Sequence, residues 1–300
     1  NFQNDLCSDT VIVTNASSST SVSSSANPSV LGQSVTFTAV VTSASMGTIT
    51  GTVTFKDGTT TLGTGGVSGG QATYTTNALS QGSHSITAVY GGDTNFSTST
   101  SSPITQVVNA ALTAPTGFSA TASSTSKITL TWSTVTNATS YEIWHSSLGS
   151  AYTLLTTTPS TTLDDTSLTA NRTYLYKVRA VRGDATSGFS PVDASTTIVF
   201  TDSTLSTSIQ IKKTHIDELR TAVNAMRAAG SLSAATFTDS TITAQSTKIK
   251  AVHISELRTA LDAARTAIGL PTLTYTDSTL TATSTKVKGA HITELRDGTQ

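Results

Sequence analysis

Charge is scarce in this chain. Of 300 residues, 17 are lysine or arginine and 18 aspartate or glutamate, 12% in all, for a formal net charge of −1. An average soluble domain carries about a quarter charged residues. The missing basic field argues against a nucleic-acid partner, whose counterions a protein must displace with lysine and arginine. It argues equally against a polybasic membrane-surface protein. No apolar run approaches the roughly 20 residues of a membrane-spanning helix, and the first residues do not read as a signal peptide, as expected of a secreted protein in mature form. The single cysteine, Cys7, has no internal partner for a disulfide and is expected to be a bystander thiol or an intermolecular crosslink. What fills the chain instead is 64 threonines and 44 serines, more than a third of it. A β-branched side chain suits a pleated surface while its hydroxyl tolerates water. The composition therefore reads as mainly β, secreted and a candidate for O-glycosylation. The Asn-x-Ser/Thr triplets at Asn15, Asn95, Asn137 and Asn171 are close to chance in so hydroxyl-rich a chain.

Composition divides the chain into residues 1–28, 29–109, 110–197 and 198–300. The first segment has one apolar run, Val11-Ile12-Val13, ahead of the serine-rich stretch Ser17 to Ser25. It reads as a leader, or as a strand that pairs with a sheet edge of its own or of a neighbour. In the second, Val35, Phe37, Ala39 and Val41 alternate with polar residues, as do Val53 and Phe55, and Ile86, Ala88 and Tyr90. Period two with one apolar face predicts half-buried antiparallel strands. Asp57-Gly58 predicts a type I′ hairpin, and Gly65-Gly66, Gly69-Gly70 and Gly91-Gly92 further turns. Short, evenly spaced strands imply a β-sandwich.

The runs Gly51-Thr-Val-Thr-Phe-Lys-Asp-Gly58 and Gly82-Ser-His-Ser-Ile-Thr-Ala-Val-Tyr-Gly-Gly-Asp-Thr-Asn-Phe96 resemble the bacterial immunoglobulin-like repeat of large surface proteins, over residues 15–109. The resemblance implies a spacer or adhesive module without catalytic residues. In the third segment Ile128, Leu130 and Trp132 alternate, with Trp132 inward, and Tyr174 follows Leu168 by six residues. That spacing suggests a tyrosine corner, in which the hydroxyl bonds to nearby backbone. This segment resembles a fibronectin type III domain along its whole length. Arg182-Gly183-Asp184 occurs here. In some such domains that tripeptide binds cell-surface receptors; here it reads as ordinary turn chemistry.

The fourth segment repeats itself. Phe200, Phe237 and Tyr275 each open a copy with Thr-Asp-Ser-Thr, and each copy then reads His-Ile-x-Glu-Leu-Arg from His215, His253 and His291. Ile216, Leu219, Val223 and Met226 step by three and four residues, as do Ile254, Leu257, Leu261, Ala264 and Ile268, predicting one amphipathic helix per copy. Gly230 and Gly269 mark the stops. One such unit cannot bury its own face, so stacking is required, and the shortened third copy is expected to leave an open end for something else to cover. The array resembles short repeats of large secreted bacterial proteins, which implies no mechanism. The expected fold is two tandem Ig-like and fibronectin III sandwiches with a small C-terminal helical repeat region.

Few constellations point to chemistry. His215/Glu218, His253/Glu256 and His291/Glu294 place two metal-ligand types three residues apart on a helix. Packed helices lie about 8–10 Å apart, too far for the three pairs to converge without inward-pointing geometry. The structural alternative sets each glutamate near the positive helix end with histidine packed over it. Asp202, Asp239 and Asp277 cap turns through their side chains, or pair with Lys212, Lys250 and Lys288 or with Arg220, Arg258 and Arg296. Recurring charges in a charge-poor chain are expected to connect repeats. Asp164-Asp165 reads as solvated turn, and no nucleophile elbow, phosphate loop or cysteine/histidine cluster is present.

These features imply a non-enzymatic extracellular bacterial protein without cofactor, a stalk or fibre subunit joining copies of itself head to tail. The joint would use Val11, Ile12 and Val13 on a neighbour, or completion of the last repeat by another chain. Two alternatives stand beside it. One is an accessory polysaccharide-binding or spacer region of a larger secreted enzyme or adhesin, which would need exposed coplanar aromatics drawn from Trp144, Tyr141 and Tyr152. The other is a metal store in the histidine array.

Overall fold

The computed structural model describes residues 14–183, 185–205, 210–281 and 286–300. Cys7 and the run Val11-Ile12-Val13 lie outside the described residues. Two compact units divide between Ala111 and Leu112.

The strands of the first unit are β1 (Ser19–Ser24), β2 (Ser29–Val30), β3 (Val35–Thr42), β4 (Thr52–Asp57), β5 (Thr60–Gly66), β6 (Gln71–Thr76), β7 (Gly82–Tyr90), β8 (Ser99–Thr100) and β9 (Ile104–Asn109). One sheet runs β1-β3-β6 and the other β2-β9-β7-β4-β5, with β8 on β7. The alternation read from β3 is the one realised: Val35, Phe37, Ala39 and Val41 are buried and their neighbours are not. Facing them, Val53, Phe55, Ile86, Ala88 and Tyr90 complete the core between the sheets. Burial of this kind contributes about 1.5–3 kcal/mol per large apolar side chain.

The serine-rich stretch is not a leader. Ser19–Ser24 forms β1, paired antiparallel with β3 from Ser19 opposite Thr42 to Ser24 opposite Phe37. Ahead of it, Ala16 bridges to Phe96. The sandwich therefore begins well before residue 29, because the hydroxyl-rich strand needs only one buried position in two to dock on an existing edge.

Two turn expectations also change. The β4–β5 hairpin forms with Asp57 opposite Thr60, leaving Gly58 and Thr59 as the loop. Of these two only Gly58 has positive φ, +55°, whereas a type I′ turn needs both. Asp57 is instead the last strand residue, and its carboxylate accepts from His84 Nδ1 at 2.7 Å and from the Ser85 amide at 3.0 Å. Gly65 and Gly66 lie inside β5 rather than in a turn. A Cβ on Gly65 would come within 2.6 Å of the Thr73 carbonyl oxygen, so a close backbone approach is what requires glycine there.

In the second unit the strands are β10 (Ser119–Ser124), β11 (Lys127–Thr131), β12 (Ser140–Ser147), β13 (Thr153–Thr158), β14 (Thr162–Thr166), β15 (Thr173–Arg182), β16 (Ala185–Phe189) and β17 (Asp193–Thr196). Sheet β10-β11-β14 faces sheet β13-β12-β15-β16, in which β17 also pairs with β15. Trp132 is inward, packed edge-on against Tyr141 with ring centroids 5.5 Å apart. The tyrosine corner is formed, with the Thr169 amide donating to the Tyr174 hydroxyl at 3.0 Å. Gly183, at φ +49°, turns the chain between β15 and β16; Asp184 of the Arg-Gly-Asp tripeptide is outside the described residues.

Asp164 and Asp165 sit in strand β14, not in a turn. Alternation sends them to opposite faces. Asp164 is exposed and accepts from Lys127 Nζ and Thr129 Oγ1. Asp165 is buried and accepts from the Tyr176 hydroxyl at 2.8 Å, with His145 Nδ1 3.7 Å away. Burial, reinforced by the Asp165 carboxylate, pushes the Tyr176 phenol well above its ordinary range.

Three helices follow: α1 (Lys213–Ala229), α2 (Ala251–Ala267) and α3 (Gly289–Asp297). Gly230 caps α1, and Gly269, at φ +80°, lies just past α2. The helices do not form an independent stack. Ile216, Leu219, Val223 and Met226 share one core with Ile254, Leu257, Leu261, Ile292 and Leu295, and also with Leu175, Ala194, Ile198 and Phe200. On β15, Tyr174 and Tyr176 point into the sandwich while Leu175 points out, onto the helices. The sandwich and the helical repeats are thus one folded body.

Candidate functional site

The recurring polar residues assemble three copies of one node. In the first copy Asp202 has a left-handed backbone, φ +53°. Its Oδ2 accepts from Lys212 Nζ at 2.7 Å and from His215 Nε2 at 3.0 Å. The Nδ1 of the same ring accepts the Lys212 amide at 3.2 Å. A ring that accepts at Nδ1 must carry its proton on Nε2, which fixes the tautomer and aims that proton at the carboxylate. The second copy repeats these bonds with Asp239, Lys250 and His253, and the third with Asp277, Lys288 and His291. All three imidazoles are buried.

The glutamates serve elsewhere. Glu218 accepts the Thr201 amide at 3.0 Å, Glu256 the Thr238 amide at 2.9 Å and Glu294 the Thr276 amide at 2.8 Å. Each lies in the second helical turn, and none of the helices has an acidic residue in its first turn. The expected glutamate at the positive helix end, with histidine packed over it, is therefore not the arrangement. Histidine bonds to aspartate and glutamate to threonine, so the three pairs do not converge. Among the described residues no group of three or more His, Cys, Asp or Glu could hold a metal ion. The aspartate side chains, too, bond lysine and histidine rather than the turn backbone.

Lysine–aspartate pairs stay within a copy; the arginines reach between copies. Arg220 donates to the Asp239 and Thr238 carbonyls at 3.0 and 2.8 Å, and Arg258 to those of Asp277 and Thr276 at 2.9 and 2.7 Å. Arg296 then donates to the Asp202 and Thr201 carbonyls at 2.8 and 2.7 Å. The third copy grips the first, and the array is a closed ring of three. The stacking follows the same circuit, with Arg220 over Phe237 at 5.0 Å, Arg258 over Tyr275 at 4.4 Å and Arg296 over Phe200 at 4.8 Å.

Closure overturns the open array with an end awaiting another chain. The sandwich covers what the short third helix leaves bare: Leu175, Ala194 and Ile198 enter the ring core, and the Thr196 amide donates to the Thr299 carbonyl at 3.1 Å. Sequence reading passed over a second pair of connectors. Arg227 donates to the Ser233 and Ala260 carbonyls, and Arg265 to those of Pro271 and Gly298. Their separation, the same 38 residues as the histidines, was the available signal.

The node predicts an acid-sensitive ring. The Lys212 and His215 hydrogen bonds hold the Asp202 carboxyl below the usual carboxylate range, as Lys250 and His253 do for Asp239, and Lys288 and His291 for Asp277. A depressed folded pKa means stability that is complete above the unfolded value, about 3.9, and is lost as pH falls through the folded one. Calorimetry between pH 7 and pH 2 should show the second unit's melting temperature falling below about pH 4. A D202N/D239N/D277N variant should show a shallower fall; an unchanged slope would place the acid sensitivity elsewhere.

The aromatic platform required for sugar stacking is not formed. Tyr141 is buried, Trp144 stands edge-on to Phe189 with Arg179 over its ring, and the ring of Tyr152 lies under Lys177. A groove of about 1600 Å³ lies among the N-terminal ends of the three helices.

Comparison with known proteins bears on the two sandwiches. Residues 15–109 match the bacterial Ig-like domain (group 3) and residues 113–194 the fibronectin type III domain. No curated relative matches the chain. Among solved structures, titin domains A168–A170 are 14% identical, over 59% of this chain and 66% of that one, with a TM-score of 0.44. The fibronectin(III)-like modules of Clostridium thermocellum CbhA are 16% identical over 58% and 90%, TM-score 0.35. The FN3tt mutant is 30% identical over 29% and 96%, TM-score 0.27. Such domains are common in extracellular proteins, are typically non-catalytic and fit a structural or adhesion-type module. Among the described residues no helix is long and apolar enough to cross a membrane. The chain therefore carries a bacterial Ig-like domain of group 3 followed by a fibronectin type III domain.

Proposed function

We propose that this protein is a non-enzymatic structural subunit of the bacterial cell exterior, a stalk or fibre element that joins copies of itself head to tail. The observation that carries the reading is the use made of the recurring polar groups. The three recurring histidines, their aspartates and glutamates, and the recurring arginines are engaged in holding the ring, at 2.5–3.4 Å from a partner in the same fold. Such a cross-bonded ring behind a sandwich is suited to bearing load and contact rather than turnover. With the repeats closed on one another, the joint is assigned to the apolar run Val11, Ile12 and Val13.

Sedimentation velocity and negative-stain microscopy of the full chain test the reading. The intact protein should associate with increasing concentration, and deletion of residues 1–13 should leave a monomer with unchanged thermal transitions. Deletion to residue 28 would not be a fair test, since it removes β1. Equal assembly by the shortened chain would refute the joint.

A further inference from the structure

Six of the chain's nine lysines line one groove: Lys212, Lys213, Lys248, Lys250, Lys286 and Lys288. The nodes account for Lys212, Lys250 and Lys288; Lys248 and Lys286 have no such structural use among the described residues. Among the described residues no aspartate or glutamate lines the groove, whose floor includes Ile211, Ile249 and Val287, one from each copy. The first residues of α1, α2 and α3 also border it. Each of these helices has a lysine at its N-cap, whose amide the N3 histidine accepts, and the positive ends of the three helix dipoles add to the lysine charge. Lys212, Lys250 and Lys288 are balanced by aspartates and Lys213 by Asp217. Lys248 and Lys286 are exposed, and among the described residues neither has a carboxylate partner. The groove is apolar at its base and positive at its rim.

An occupant must match both properties. Residues 1–13 do: Phe2, Leu6, Val11, Ile12 and Val13 are apolar, Asp5 and Asp9 are acidic, and there is no lysine or arginine. Fully extended, 13 residues reach about 45 Å, ample for such a groove. We propose that the lysine-rimmed groove of the helical ring is the acceptor for residues 1–13 of a second copy, held by burial of the apolar side chains and by Asp5 and Asp9 on the rim. This rests on the head-to-tail reading above and supplies the surface at its receiving end.

Charge exchange on the full-length chain tests it. K248E/K286E changes only exposed side chains, and D5K/D9K reverses the two acidic residues of segment 1–13. Each variant should weaken self-association at least tenfold in sedimentation velocity, and the two changes combined in one chain should restore it. Thermal transitions like those of the unaltered chain show that the fold is intact. If deletion of residues 1–13 abolishes assembly while K248E/K286E does not weaken it, the segment docks elsewhere, such as on a sheet edge; the groove assignment is then wrong and the head-to-tail reading stands. Should the unaltered chain remain monomeric, the head-to-tail reading fails. A fluorescent peptide of residues 1–13 then decides the groove alone: binding weakened tenfold by K248E/K286E sustains it, and no binding, or binding indifferent to the change, overturns it.

Discussion

Replacing Arg296 with alanine will destabilise the second unit by about 3 kcal/mol, as much as the same change at Arg258. In an open array the two positions would differ sharply, because the last arginine would have no copy ahead of it to grip. In the closed ring Arg296 donates to two carbonyls of the first copy, as Arg258 does to the third, and both side chains are buried. Removal costs the two charge-assisted hydrogen bonds to the Thr201 and Asp202 carbonyls, at about 1.5–3 kcal/mol each before water at the exposed loop replaces part of them. It also removes the cation from the face of Phe200, worth about 0.5–2 kcal/mol. Relaxation of the exposed loop edge trims the sum to the figure given. Urea unfolding of R258A and R296A reads the comparison directly. A negligible loss at Arg296 beside a large one at Arg258 would mean that the ring is open in solution.

Phe200→Ala will cost about 3–5 kcal/mol, the range for truncating a buried phenylalanine, and more than Phe237→Ala. Phe200 is 8% exposed and lies where the sandwich strands meet the helices, whereas Phe237 is only half-buried against the same core. The cavity would open at the junction, so sandwich and ring should weaken together and the second unit should still unfold in one transition. A second transition appearing on its own would show that the two parts are less joined than the common core implies. In a double-mutant cycle, F200A and R296A should couple by about 1 kcal/mol, since each removes half of the same stacked pair.

How much of this could be read in advance differs from element to element, for physical reasons. The alternation in β3 predicted its buried face correctly because a strand packed on one side leaves a period of two. Trp132 and the Leu168–Tyr174 spacing were legible because a tyrosine corner is local, closed within a few residues. Asp165 was not: it reads as half of a polar pair, and only the strand's two-faced geometry separates a buried partner of Tyr176 from a solvated Asp164. Leu175 carried a signal that went unread. An apolar residue between Tyr174 and Tyr176 breaks the alternation, which marks a strand covered on both sides.

The 38-residue period, the helix in each copy and the glycine stops were determined by the sequence alone, since each depends on neighbours within a few turns of chain. Whether three such copies run on as an open stack or close on themselves was decided only by the tertiary structure. Closure depends on the angle accumulated from one copy to the next and on whether Arg296 reaches a carbonyl some 94 residues away. No local pattern encodes that angle; it is set by the packing of three helices around one core and by the sandwich strand that fills the place where the third helix is short.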